Sequence, residues 1–84
     1  MSSTTDSPHP NQPLNEVFAA NVRRVRMSKG LSVAAVARSC EYTPEFVDAV
    51  EKGTAPGLGI DELATFATAL GVDVAELVRR DARS

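Results

Sequence analysis

Residues 32–53, Ser-Val-Ala-Ala-Val-Ala-Arg-Ser-Cys-Glu-Tyr-Thr-Pro-Glu-Phe-Val-Asp-Ala-Val-Glu-Lys-Gly, admit little except two short helices joined by a tight turn. Ser32 offers a side-chain oxygen to an orphan amide at a helix start, and Leu31 can staple against Val36 across it. Position 35 is Ala, so the acid that would complete a capping box is missing. Val33, Val36, Ala37 and Cys40 then recur at helical spacing. The pattern breaks at Glu41 and Tyr42 and restarts at once. Thr43 is a good N-cap, Pro44 is pre-set for the first helical position, and Glu45 favours the positive end of the helix dipole. Val47, Val50 and Phe46 give this second helix an apolar face, and Gly53 ends it. Helices this short cannot bury their faces alone, so the flanking chain must supply the rest of a core.

The flanks have the material to do so. A helix is expected from Leu14 to Ser28, capped by Asn15, with Leu14, Phe18, Val22 and Val25 inward and Gly30 closing it. Arg23, Arg24, Arg26 and Lys29 make its outer face basic. Beyond Gly53 comes a glycine-rich loop to Gly59, which lacks the Gly-x-x-x-x-Gly-Lys-Ser/Thr spacing of a phosphate-binding loop. A fourth helix is expected over Ile60–Leu70, with Ile60, Leu63, Phe66, Ala67 and Leu70 inward, Asp61 and Glu62 in its first turn, and Gly71 as terminator. Asp73 with Glu76 three residues later has the form of a capping box, opening a fifth helix through Val74, Leu77 and Val78. Residues 1–13 are polar, proline-punctuated and aperiodic, which predicts a disordered tail, and 79–84 reads as a fraying end. No stretch alternates as a strand. The expectation is an all-α domain over 14–78, five short helices around one core.

Composition excludes several functions. At 84 residues the chain is one small domain, and its net charge of −2 gives no overall basic footprint. Cys40 is the only cysteine and falls on an inward face, so neither a disulfide framework nor a cysteine metal cluster is available. His9, between two prolines of the tail, is no metal ligand on that basis. No apolar run can span a bilayer and the N-terminus lacks a signal-peptide pattern, so no membrane association and a cytoplasmic location are expected. There is no nucleophile with a base, no acid/base pair and no metal set, so neither an enzyme nor a cofactor is expected.

Helix, short turn, helix is a helix-turn-helix unit, whose second member can enter a DNA major groove. The surrounding residues carry a closer likeness: Val22-Arg23-Arg24-Val25-Arg26, Ser28-Lys29-Gly30-Leu31-Ser32, Val36-Ala37, Thr43, Val47, Val50-Glu51-Lys52-Gly53, Pro56, Leu63, Phe66-Ala67, Leu70-Gly71-Val72 and Glu76-Leu77. In these positions the sequence resembles the phage-repressor/Cro, or XRE-type, helix-turn-helix family, over about 14–78, with a loop about one residue longer after Gly53. The resemblance implies a compact five-helix, lambda-repressor-like DNA-binding domain and a transcriptional regulator whose partner is double-stranded DNA, with a homodimer as one arrangement.

Carried over residue by residue, the resemblance implies an ion pair between Arg26 and Glu51, and base-facing positions at Pro44, Glu45, Asp48 and Ala49. The family commonly has Gln where this chain has Val33. Pro44 has no side-chain hydrogen bond to give, Ala49 offers a methyl, and Glu45 can accept from a cytosine amino group. Between 43 and 53 the charges of Glu45, Asp48, Glu51 and Lys52 leave a net −2, the wrong sign for a helix beside phosphates. Binding would then rest on phosphate contacts from Arg23, Arg24, Lys29, Arg38 and Lys52. The competing class is the same fold used for protein–protein interaction, with Phe46 an apolar anchor rimmed by Glu45 and Asp48 and facing a basic protein partner.

Overall fold

Helix ends organise this chain. The computed structural model describes residues 14–79 and holds five helices: α1 (Leu14–Ser28), α2 (Val33–Cys40), α3 (Pro44–Glu51), α4 (Ile60–Leu70) and α5 (Val74–Val78). The expected tail with His9, the side chain of Leu14 and residues 80–84 lie outside the described residues.

The starts of α2 and α3 are as their caps dictate. The Ala35 amide donates to Ser32 Oγ at 3.0 Å and the Phe46 amide to Thr43 Oγ1 at 3.1 Å. The first four helices then stop in one way, with an amide bonded to the carbonyl five residues back. The pairs are Leu31 to Arg26, Tyr42 to Ala37, Thr54 to Ala49, and Val72 to Ala67, at 2.9–3.1 Å. That closure needs a left-handed residue just before the donor. Gly30, Gly53 and Gly71 fill it in three cases, and Glu41, at φ 63°, fills it in the turn between α2 and α3.

Three local expectations fail for identifiable reasons. Asn15 does not cap α1, because the helix already runs from Leu14; its amide instead donates to the Gly53 carbonyl at 3.2 Å, tying α1 to the end of α3. Ile60 is 75% exposed rather than inward. It is the first residue of α4, so its side chain projects back past the helix end, whereas Leu58 of the preceding loop is packed against the core. Asp73 precedes α5 in a capping conformation but accepts no side-chain bond. The Glu76 amide already reaches the Asp73 carbonyl at 2.9 Å, and the Glu76 carboxylate turns to Arg79 at 3.5 Å. Glu62 does what Glu76 does not, accepting from the Gly59 amide at 2.8 Å at the start of α4.

The core is a single cluster to which all five helices contribute. Phe18 of α1 and Phe66 of α4 are fully buried and meet edge-on, centroids 5.5 Å apart. Val22, Val36, Val47, Val50, Leu70 and Leu77 fill the space around them, each fully buried side chain contributing about 1.5–3 kcal/mol. Cys40 is buried among these groups, and burial pushes its thiol pKa up. Tyr42 spans from Phe66, at 5.6 Å, to Phe46, at 4.8 Å, so the α2–α3 turn is anchored to the core by an aromatic ring.

Glu41 holds a conformation that costs a side-chain-bearing residue about 1–2 kcal/mol. Glu41→Gly is therefore expected to raise stability by about 1 kcal/mol, after allowance for the extra freedom of glycine in the unfolded chain. A rise in the urea midpoint at constant m-value checks this; an unchanged or lower midpoint contradicts it.

Candidate nucleic-acid interface

Helix α3 is held by its C-terminal end. Glu51, its last residue, takes the Arg26 guanidinium in two parallel bonds, Nε to Oε2 at 2.6 Å and Nη2 to Oε1 at 3.0 Å. The remaining Arg26 nitrogen, Nη1, donates to the Leu31 carbonyl at 2.9 Å in the link between α1 and α2. Only 15% of the Arg26 side chain and 6% of that of Glu51 is exposed. The hydrogen bonds that Arg26 donates to Glu51 hold its pKa above the ordinary guanidinium value; burial opposes them, and the Glu51 charge adds to the rise. One guanidinium thus fixes α3, the α1–α2 link and α1 with respect to each other.

This clamp, with Val47 and Val50 buried beneath, turns the other side of α3 to solvent. Pro44, Glu45 and Asp48 are exposed, and Ala49 is half-buried against the core. Of these positions only Glu45 and Asp48 carry a hydrogen-bonding side chain, both acceptors. Asp48 is already engaged: its carboxylate meets Lys52 Nζ at 2.9 Å one turn on, and that contact raises the Lys52 pKa. Phe46 is half-buried and lies edge-on to Tyr42.

The cations on the other elements are disposed differently. Arg23, Arg24, Lys29 and Arg38 are all exposed. Among the described residues none of them pairs with a carboxylate; the ion pairs are Arg26–Glu51, Lys52–Asp48 and Arg79–Glu76. Arg24 has a neutral partner, with its Nη2 donating to Asn21 Oδ1 at 3.0 Å. Of the residues expected to touch phosphate, Lys52 is therefore the one whose charge is already balanced.

Asn21 and Glu41 were not singled out from the sequence. Asn21 sits three residues after Phe18 and four before Val25, in the apolar stripe of α1, and a polar side chain at such a spacing is the signal that marks it. Glu41 had no comparable signal beyond the break in periodicity.

Other site types find little support among the described residues. No group of three or more His, Cys, Asp or Glu could hold a metal ion, and no helix is long and apolar enough to cross a membrane. A cavity of about 270 Å³ lies between the start of α1 and the loop before α4, lined by Asn15, Phe18, Ala55, Pro56, Leu58 and Leu63 among others. Its walls carry no convergent set of polar side chains.

Comparison with known proteins bears on the same surface. Residues 17–79 match a family model described as a helix-turn-helix domain. Among solved structures, the chain is similar to the hypothetical transcription factor NHTF from Neisseria, with 32% identity and a TM-score of 0.79, over 86% of this chain and 82% of that one. It is similar to the clp gene regulator ClgR from C. glutamicum, with 27% identity and a TM-score of 0.74, over 80% of this chain and 86% of that one. It also matches FeII HppE in complex with substrate, with 30% identity and a TM-score of 0.72, over 76% of this chain but 37% of that one. No curated protein sequence matches.

The clamp makes a quantitative expectation. Glu51→Ala leaves Arg26 poorly solvated and should lower stability by about 3 kcal/mol, as removal of one partner from a buried pair does. Urea unfolding followed by circular dichroism measures it, and an unchanged midpoint would remove the pair from the account of how α3 is held.

Proposed function

Because the chain belongs to the helix-turn-helix domain family that its residues 17–79 match, we propose that it is a DNA-binding transcriptional regulator of the phage-repressor/Cro type. It grips the duplex mainly through phosphates and reads few bases. The observation that carries this reading is the disposition of charge: Arg23, Arg24, Lys29 and Arg38 are exposed without a carboxylate partner among the described residues, while the acids of α3 are partly spent on Arg26 and Lys52. Free surface cations beside a helix-turn-helix unit suit a polyanion, and each phosphate neutralised releases counterions. That NHTF is named a hypothetical transcription factor and ClgR a gene regulator supports the same reading.

The outward face of α3 accounts for weak base discrimination. Pro44 and Ala49 offer no hydrogen bond, Asp48 is held by Lys52, and Glu45 is left to accept from a cytosine amino group in the major groove. Affinity per domain is correspondingly modest, and a second copy on the duplex would double the phosphate contacts. The alternative, a basic protein partner seated on Phe46, Glu45 and Asp48, is not favoured, because the Phe46 ring is half-buried against Tyr42.

Fluorescence anisotropy with a random duplex at low salt tests the proposal. Wild type should bind, with affinity falling steeply as salt rises. Arg23→Ala with Arg24→Ala should weaken all duplexes about equally and flatten the slope of log affinity against log salt by about two units. Asp48→Asn frees Lys52 and should tighten binding and steepen that slope by about one unit. Glu45→Gln should also tighten binding, by removing a negative charge near phosphates and adding a donor that can pair with adenine. If wild type shows no binding at low salt and Glu45→Gln gains none, the regulator reading fails and a basic protein partner takes its place.

A further inference from the structure

Among the described residues Asn21 is the one polar residue that is buried, and both ends of its side-chain amide are bonded. Its amide nitrogen donates to the Leu77 carbonyl at 2.9 Å and to the Arg79 carbonyl at 3.0 Å. These are carbonyls at the end of α5, a helix of five residues that finishes without a left-handed turn, Arg79 being extended at φ −77°, ψ 128°. Asn21 therefore supplies, from the middle of α1, donors that the other helices obtain from their own chain. Its carbonyl oxygen has one further partner, Arg24 Nη2 at 3.0 Å. An amide that donates through both N–H groups is polarised, which makes its oxygen a stronger acceptor for the guanidinium.

We propose that Asn21 is a positioning residue for DNA binding, holding the Arg24 guanidinium in a pre-organised pose with the end of α5 as its support. The inference rests on the phosphate-binding reading of Arg24 and deepens it. Arg23 supplies the internal contrast: it is the adjacent residue, also exposed, and no side-chain hydrogen bond holds it among the described residues. A long cationic side chain that is free in solution loses rotamer freedom when it meets a phosphate, and one already held loses less. Arg24 thus contributes more to affinity than Arg23 for the same charge, and the difference depends on Asn21. The Asn21–Arg24 bond adds no charge and withdraws none, so it changes affinity without changing the number of phosphates neutralised.

Two measurements test this. In the free protein, the heteronuclear NOE of the Arg24 Nε–Hε group should be markedly higher than that of Arg23; equal mobility of the two overturns the proposal, and this measurement requires neither a variant nor DNA. The second is a double-mutant cycle with random duplex at low salt. Asn21→Ala should weaken binding about two- to tenfold in the wild-type background, the effect of freeing one long side chain, with the salt slope unchanged. In an Arg24→Ala background the same change should cost nothing. Equal losses in both backgrounds overturn the positioning role and leave Asn21 a purely structural cap of α5. Should Asn21→Ala unfold at the assay temperature, the NOE comparison alone decides. Absence of binding by both wild type and Glu45→Gln overturns the regulator reading itself, and the inference with it; if only Glu45→Gln binds, the cycle is run in that background and reads the same way.

Discussion

The bond between Arg26 and Glu51 is the constraint on which the arrangement of this domain depends. An eight-residue helix such as α3 is not stable alone, and its orientation is set by what grips it. Val47 and Val50 bury one face but leave rotation and tilt loosely specified, since apolar contacts are non-directional. The two parallel bonds at 2.6 and 3.0 Å are directional, and the third nitrogen reaches the Leu31 carbonyl, so α3 and the α1–α2 link share one anchor. Burial of the core supplies most of the free energy, and the ion pair supplies register. A buried pair is rarely a net source of stability compared with apolar packing, and its value here lies in the geometry it imposes.

That geometry sorts the charges. With α3 fixed by its last residue, Glu45 and Asp48 face solvent, and Asp48 lies one turn from Lys52, close enough to capture it. The cations that keep their charge uncompensated among the described residues are on α1, at its end and on α2. An overall charge of −2 hides this division, because a sum says nothing of which groups cancel locally. A surface pair such as Asp48–Lys52 adds little to stability, yet it changes the local potential beside α3, where a phosphate would otherwise meet a free ammonium.

Much of the backbone plan follows from short-range rules. Ser32 and Thr43 bond amides three residues ahead, and the helix ends at Gly30, Gly53 and Gly71 close through amides bonded five residues back. Such interactions lie within one turn, so their signals survive in the linear order of residues. The same economy explains the inward positions of Phe18, Val22, Val25, Val36, Leu63, Phe66 and Leu70, which recur at helical spacing. Glu41 is the exception among the helix ends: its left-handed conformation is imposed by the α2–α3 turn and by Tyr42 packed on Phe66, against its own preference. The residue pattern showed a break there and no sign of its backbone.

By itself, then, the sequence determined five helices, the side-chain caps that open α2 and α3, and which stripe of each helix is apolar, because those properties depend on residues within a turn of each other. Its likeness to a known family supplied the link between positions 26 and 51, which no local rule could have joined. What the tertiary structure alone decided is how the polar groups are spent. Asn21 bonds carbonyls 56 and 58 residues away, Asn15 reaches Gly53 instead of capping its own helix, and Ile60 is left in solvent while Leu58 of the preceding loop packs against the core. A hydrogen-bonding side chain has several possible partners, and the one it takes depends on which elements come to rest against it. Hydrophobic spacing tells which face of a helix is buried, but not what lies opposite, so the state of each charge at the candidate interface appears only once the helices are packed.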